Sequence, residues 1–164
     1  MSATIYTEFV KSVTRNPDRV AMKYRKEGQY VPMTYAELGH KVDAVAASLK
    51  KLGIGKGDRM VIASYNRPEW AIADLATQKL GGIVIPVYHM PGHIMPVSFF
   101  KYIMNDANVK LVFVEDRDTY ELIAKVKPEA PSLQHIVMIE SAEAEGLDCT
   151  KFADMVMVDP SAVE

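Results

Sequence analysis

The chain has 164 residues, of which 49% are hydrophobic and 24% are charged, a composition typical of a folded globular protein rather than a disordered or fibrous one. Nineteen basic and 21 acidic residues give a formal net charge of -2, with no block of like charges long enough to grip a nucleic-acid backbone. The single cysteine excludes an internal disulfide, and the longest apolar run, residues 80–88, is too short to cross a bilayer. We expect one cytoplasmic domain over residues 1–164, with no nucleic-acid partner, transmembrane segment or bound metal.

The first 33 residues predict a leading helix and a β-hairpin. Apolar residues recur at helical spacing over residues 4–14, and Asn16-Pro17 ends the pattern because the residue before a proline avoids helical geometry. Two apolar runs, at 20–24 and 29–33, flank a glycine turn and indicate two antiparallel strands. Such a hairpin needs another element to pack against.

An amphipathic helix is predicted from residue 35 onward. Thr34 and Glu37 have the spacing of a capping box, and Gly53 followed by Ile54 is a typical helix terminator. The glycine-rich run at 53–58 suggests a phosphate-binding loop at first sight. Such a loop must leave a strand and open a helix, whereas here the order is reversed, so we interpret the run as a helix end and a connection.

Residues 34–140 predict an α/β fold. Apolar runs at 60–63, 83–87, 111–114 and 135–139 alternate with amphipathic segments at 68–80, 94–106 and 117–126. This alternation indicates a mostly parallel sheet with helices on both faces. Because the runs are apolar at successive positions, we expect every strand to be buried on both faces. Residues 141–164 are acidic and weakly periodic, and predict a weakly structured tail with one short helix near 151–155 and no further strand.

Tyr88 and His89 are the candidate substrate-binding residues. They directly follow a predicted parallel strand, and open α/β sheets bind ligands at the carboxyl ends of such strands. A plain connecting loop is the alternative interpretation. The His-x-x-x-His spacing that begins at His89 does not predict a zinc site, because Pro91-Gly92 breaks any helix and no glutamate follows the first histidine.

Two further polar segments follow predicted strands. Asn66, with Glu69 three residues later, is interpreted as the cap that opens the helix at 68–80. The acidic segment 115–118 could bind a metal or a ribose, but an aspartate that opens a helix is the commoner reason for such a placement. Ser64 lacks the flanking glycines of a nucleophile elbow.

Five segments in order give the chain a family resemblance. They resemble the N-terminal region of adenylate-forming (AMP-binding) enzymes, most closely long-chain fatty acyl-CoA synthetases, over residues 20–140. The segments are Thr-Tyr-Ala-Glu-Leu at 34–38, the glycine-rich run continuing to Val61, Asn-Arg-Pro-Glu-Trp at 66–70, Leu-Gly-Gly-Ile-Val-Ile-Pro-Val-Tyr at 80–88, and Leu-Val-Phe-Val-Glu-Asp at 111–116.

The resemblance implies a parent reaction that the chain itself is not equipped to perform. Enzymes of this family convert a carboxylate and Mg-ATP to an acyl-adenylate and then transfer the acyl group to coenzyme A. The family's Ser/Thr/Gly-rich phosphate loop, its adenine- and ribose-binding motifs and its catalytic lysine do not occur in these 164 residues. We therefore expect no catalytic residue here, and ATP, Mg and coenzyme A to be bound by the parent enzyme rather than by this fragment. For the parent, a peripheral position at membranes is compatible with the resemblance.

Three hypotheses remain open on the sequence. The first is an N-terminal fragment of an acyl-CoA synthetase, inactive alone, whose partner is the remainder of the synthetase. The second is a naturally short homologue that acts as a binding module and self-associates through exposed apolar surface. The third is an unrelated flavodoxin-like nucleotide binder, which would bind a flavin or nucleotide tightly.

Overall fold

A computed structural model describes residues 3–88 and 95–162. The elements, in chain order, are α1 (Ile5–Arg15), β1 (Val20–Lys26), β2 (Gln29–Thr34), α2 (Tyr35–Lys51), β3 (Arg59–Ala63), α3 (Pro68–Lys79), β4 (Ile83–Val87), α4 (Val97–Asp106), β5 (Leu111–Val114), α5 (Arg117–Val126), β6 (His135–Met138), β7 (Thr150–Lys151) and α6 (Phe152–Met155). Short 3-10 turns occupy Lys127–Glu129, Ser141–Ala144 and Pro160–Ala162. The predicted leading helix and hairpin are confirmed.

Helix α2 begins and ends as its sequence predicts. The Thr34 hydroxyl accepts a hydrogen bond from the Glu37 amide at 3.2 Å, while the Glu37 carboxylate accepts one from the Thr34 amide at 2.7 Å. At the other end, Gly53 has a φ of 76° and the Ile54 amide donates back to the Leu49 carbonyl at 3.0 Å. The glycine-rich run is therefore a helix terminator, as expected, and Ile54 is buried beside the helix.

The central sheet has five parallel strands in the order β4-β3-β5-β6-β7. The chain enters at β3, passes through α3 to β4 on one side, and then crosses to β5 on the other side of β3. The direction of progress therefore reverses between β3 and β5. The α/β fold class with its parallel sheet is confirmed.

Two apolar cores lie on opposite faces of this sheet. Met60, Ile62 and Phe113 belong to the core beneath α2, α3 and α6, whereas Val61 and Val112 belong to the core beneath α4 and α5. Neighbouring residues of one strand enter different cores because successive side chains point to opposite faces. The hairpin β1–β2 forms a separate sheet, and its Met22, Tyr24 and Met33 pack against the first core.

Two sequence expectations about the sheet are wrong. Strand β4 is not buried on both faces: it is the edge strand, Ile83 is 51% exposed, and Pro86 is exposed as well. Pro86 indicates an edge position from the sequence alone, because proline in a sheet is confined mainly to edge strands. The acidic tail does contain a strand, since Thr150–Lys151 pairs with β6. Two residues are too few to produce a recognisable periodicity.

The remaining boundaries differ in detail. Pro96 is the N-cap residue of α4, which begins at Val97, and the predicted start at residue 94 lies outside the described residues. The predicted short helix near 151–155 is present as α6, with Phe152 and Met155 buried. Within the part of the chain that is described, none of the helices is long and apolar enough to cross a membrane.

Candidate functional site

The loops that follow the strands meet at the carboxyl edge of the central sheet. Ser64 follows β3, Tyr88 follows β4, and Glu115 follows β5. Parallel strands place all of these loops at one edge. The reversal between β3 and β5 creates a crevice there, because the connection after β3 and the connection after β5 lead in opposite directions.

A buried carboxylate fills this crevice. The Glu115 side chain is 6% exposed and accepts hydrogen bonds from the Ser64 hydroxyl and from the Tyr65 amide at 3.2 Å. Its other oxygen lies 2.5 Å from a guanidinium nitrogen of Arg67. Ser64 and Glu115 are one rung beyond the last paired residues of β3 and β5, so the sheet register itself brings them together.

Arg67 joins three of the loops at this edge. Its guanidinium contacts Glu69 at 2.8 Å and Glu140, after β6, at 3.5 Å, in addition to Glu115. Desolvation by burial lowers the pKa of Arg67, but the hydrogen bonds and negative charges of Glu69 and Glu115 outweigh it and raise that pKa overall. Arg67 is therefore a permanent cation held among carboxylates.

The interpretation of Asn66 as a helix cap is wrong. The N-cap residue of α3 is Arg67, with φ -147° and ψ 164°, and no side chain caps the helix. Pro68 explains this difference: it favours an extended conformation for the preceding residue, so Arg67 becomes the N-cap residue and Pro68 the first residue of the helix. Asn66 is exposed and borders the clefts described below.

The predicted role of the acidic segment after β5 is confirmed in part. Asp116 caps α5, because its carboxylate accepts hydrogen bonds from the Thr119 amide at 2.9 Å and from the Thr119 hydroxyl at 2.6 Å. Glu115, the residue before it, has the ion pair with Arg67 that sequence reasoning missed. The two residues are 48 positions apart, so only the strand order reveals the pair.

A cleft of about 520 Å³ lies between the loops after β3 and β4. Its lining consists of Ser64, Tyr65, Asn66, Trp70, Pro86, Val87 and Tyr88. Tyr88, one of the two predicted site residues, therefore borders a cleft of a size that suits a small ligand, and is itself 66% exposed. His89, the other, lies outside the described residues. The strand order shows that Tyr88 follows the edge strand and not one of the two strands at the reversal.

The charged groups at the crevice are paired with one another. The guanidinium of Arg67 is paired with the carboxylates of Glu69, Glu115 and Glu140, so its charge is already compensated within the protein. Within residues 3–88 and 95–162, no group of three or more acidic, histidine or cysteine side chains is placed to hold a metal ion.

Comparison with known proteins identifies the family. The model of the AMP-binding enzyme family matches residues 9–161, so the chain belongs to that family. The family resemblance predicted from the five sequence segments is thereby confirmed.

Individual relatives show how much of such a protein the chain represents. It is 28% identical over 133 residues to the long-chain-fatty-acid–CoA ligase FadD15 of Mycobacterium bovis, a match that covers 81% of this chain and 22% of the relative. It is 27% identical over 139 residues to the uncharacterized protein Rv1549 of Mycobacterium tuberculosis, covering 85% of this chain and 74% of that protein. The chain thus spans about a fifth of the length of FadD15 but most of the length of Rv1549.

Solved structures show the same fold. The acetoacetyl-CoA synthetase of Streptomyces lividans superposes with a TM-score of 0.77 at 25% identity, over 94% of this chain and 25% of that enzyme. A luciferase-like enzyme from the mealworm Zophobas morio superposes with a TM-score of 0.79 at 20% identity, over 98% of this chain and 36% of that enzyme. The fold described above is therefore the fold of part of an adenylate-forming enzyme.

Proposed function

We propose that this chain supplies the N-terminal α/β part of an ATP-dependent acyl-CoA synthetase and is not catalytic by itself. In the parent reaction a carboxylate and ATP form an acyl-adenylate, and the acyl group then passes to coenzyme A. ATP, Mg and coenzyme A would be held by the remainder of the synthetase. The observation that carries this proposal is coverage: the family model matches residues 9–161, whereas the chain spans only 22% of the length of the relative FadD15.

The first experiment tests catalytic incompetence. The purified chain is incubated with Mg-ATP, labelled pyrophosphate and a long-chain fatty acid, and label incorporation into ATP is measured. We expect exchange at the level of a protein-free blank, because the family's Ser/Thr/Gly-rich phosphate loop does not occur in these 164 residues. Exchange that depends on the fatty acid would overturn the proposal.

The contribution we propose for Tyr88 and His89 is to form one wall beside the acyl substrate. Tyr88 supports this role through its position in the 520 Å³ cleft, opposite the loop that carries Ser64 and Asn66. Trp70 lines the same cleft and is the only tryptophan of the chain, so its fluorescence reports directly on the cleft.

A matched pair of variants tests this wall. We expect dodecanoate to change the fluorescence of Trp70 saturably, with an affinity that falls several-fold in Tyr88→Ala because a large contact area is lost. Tyr102→Ala is the control, since Tyr102 is also 66% exposed but lies on α4, outside the cleft lining. Equal affinities in Tyr88→Ala and Tyr102→Ala would remove Tyr88 from the proposed wall.

A stand-alone binding or self-association module is the second candidate function. The similarity to Rv1549, most of which the chain matches, favours it. Sedimentation of the purified chain across a wide concentration range tests it. A stable dimer would support the module, whereas a monomer throughout would favour the synthetase part.

A further inference from the structure

A groove of about 490 Å³ separates the hairpin from the start of α3. One wall consists of four successive residues of β1, positions 22–25, and the other is formed by positions 66–68, 70 and 71. Because β2 occupies the opposite edge of β1, this groove follows the edge of β1 that has no neighbouring strand among the residues the structure describes. Tyr30 and Trp70 contribute aromatic surface to the groove.

The backbone of β1 presents hydrogen-bonding groups to this groove. Glu27 and Gly28 have φ values of 50° and 82°, so the hairpin closes with a two-residue turn, and Lys26 pairs with Gln29 next to it. The pair next to such a turn, Lys26 and Gln29, is hydrogen-bonded, and the two kinds of pair alternate along the strands. The pairs that contain Arg25 and Lys23 are therefore not hydrogen-bonded to β2. The amide and carbonyl of Lys23 and Arg25 therefore point away from β2, toward the groove. Among the described residues, none outside the hairpin hydrogen-bonds to these backbone groups.

The charge along the same edge is positive. Lys23 and Arg25 lie on the exposed face of the hairpin, and neither makes an ion pair within the described parts of the chain. The first 33 residues contain six basic and three acidic side chains, while the other 131 contain 13 basic and 18 acidic ones. An anionic partner would thus be attracted to the hairpin and repelled by the rest of the molecule.

We propose that the groove binds an extended, acidic peptide segment, which pairs with β1 as a third strand of the hairpin sheet. Main-chain hydrogen bonds to Lys23 and Arg25 would provide affinity, and carboxylates placed at every second position would face these two cations. Apolar side chains on the other face of the peptide would contact Trp70. The groove shares Asn66 and Trp70 with the cleft beside Tyr88 but is otherwise lined by different residues, and the inference does not depend on the chain's being part of a synthetase.

The test uses blocked synthetic peptides without tryptophan. The probe is a peptide of alternating valine and glutamate, and the comparison peptides are its valine–lysine counterpart and a version N-methylated on alternate amides. Binding is followed through Trp70 fluorescence. We expect saturable binding of the glutamate peptide, about tenfold weaker binding of the lysine peptide, and loss of binding on N-methylation. Equal binding of all three peptides, or no binding of the first, would overturn the proposal.

Reversal of the two positive charges on β1 provides a second test. In Lys23→Glu/Arg25→Glu we expect the preference to invert, so that the lysine peptide binds more tightly than the glutamate peptide. Lys125→Glu, on the exposed side of α5, is the control and should bind like the unmodified chain. If the unmodified chain instead forms a dimer that the double variant abolishes, a second copy is the occupant and the peptide proposal is wrong.

Discussion

Glu115 is the one acidic residue of the described chain that is buried. A buried carboxylate costs several kcal/mol unless hydrogen bonds and an opposite charge compensate for its lost hydration. Here a hydroxyl, an amide and a guanidinium all point at it. The three donors lie in the loop after β3, whereas Glu115 follows β5. These contacts therefore also fix the position of one loop relative to the other.

Removal of the cation should therefore be costly. We expect Arg67→Met to lower the free energy of unfolding by about 3 kcal/mol, because it leaves Glu115 buried without a counter-charge. The double variant Arg67→Met/Glu115→Gln should recover most of this loss. Urea denaturation measures both. Lys101→Met is the control: it removes an exposed ion pair with Glu129 and should change stability by less than about 0.5 kcal/mol. A small loss in Arg67→Met, equal to that control, would contradict this account.

Gly82 illustrates a close approach that only glycine allows. A Cβ atom at this position would lie 2.7 Å from the Met60 methyl and 2.9 Å from the Thr77 methyl, and both residues are fully buried. We expect Gly82→Ala to destabilise the protein by about 1–3 kcal/mol through overpacking. Gly55→Ala is the matched control, since nothing lies within 4 Å of its Cβ position. Comparable urea midpoints for the two variants would show that the core accommodates the extra methyl group.

At the scale of elements, one ion pair ties the amino ends of β3 and β5 together. Asp58 accepts hydrogen bonds from Lys110 at 2.9 Å and from the Gly55 amide at 2.8 Å, and Lys110 also donates to the Gly53 carbonyl at 2.7 Å. Desolvation raises the pKa of Asp58, but the hydrogen bonds from Lys110 and Gly55 outweigh it and hold the pKa below the ordinary value of 3.8.

The lowered pKa gives this ion pair a defined pH dependence. A carboxyl group with a lower pKa in the folded state stabilises the fold above its unfolded pKa, and this stabilisation is lost as the pH falls through the folded pKa. We therefore expect Asp58→Asn to be less stable than the unmodified chain at neutral pH, with the difference shrinking below the ordinary value of 3.8. Urea unfolding at a series of pH values measures it. A difference that is independent of pH would contradict the assignment.

The local signals of the sequence predicted most elements, whereas long-range pairing escaped them. The capping box at Thr34 and the terminator at Gly53 act within a few residues, so their chemistry can be recognised from spacing alone. The order of the strands in the sheet cannot be recognised from spacing, because it depends on which apolar faces pack together. Thus the edge position of β4, the two-residue strand β7 and the Glu115–Arg67 pair were all missed, while Tyr88 was placed at the correct edge of the sheet.

At the scale of the whole molecule, stability is distributed unevenly. Every residue of β5 is buried, but α1 has no buried residue and contacts α2 and α3 through half-buried side chains such as Phe9 and Val13. Few buried contacts allow an element to open without the rest of the fold. The leading helix is therefore only weakly attached, through half-buried side chains, to the core beneath α2 and α3.

Hydrogen exchange tests this distribution. We expect the amides of α1 to exchange at least about 100-fold faster than those of β5, because local opening of α1 costs less than global unfolding. Val13→Ala removes the methyl groups that occupy the space beside Gly39 of α2, where a Cβ atom would lie 3.2 Å from one of them, and should speed exchange in α1 while leaving β5 unchanged. Equal protection of α1 and β5 would show instead that the helix and the sheet unfold as one unit.

Pro86 has a consequence for how this molecule behaves in a crowded solution. The Ile83 amide donates to the Asp58 carbonyl at 2.8 Å, on the β3 side, so the amides of alternate residues 84 and 86 face outward from β4. At position 86 proline supplies no amide, and an incoming strand finds one donor fewer on this open edge. The sheet loses nothing, because that donor would have faced away from β3. Pro86 thus discourages edge-to-edge pairing of copies, the first step of aggregation, at the β4 edge of the sheet.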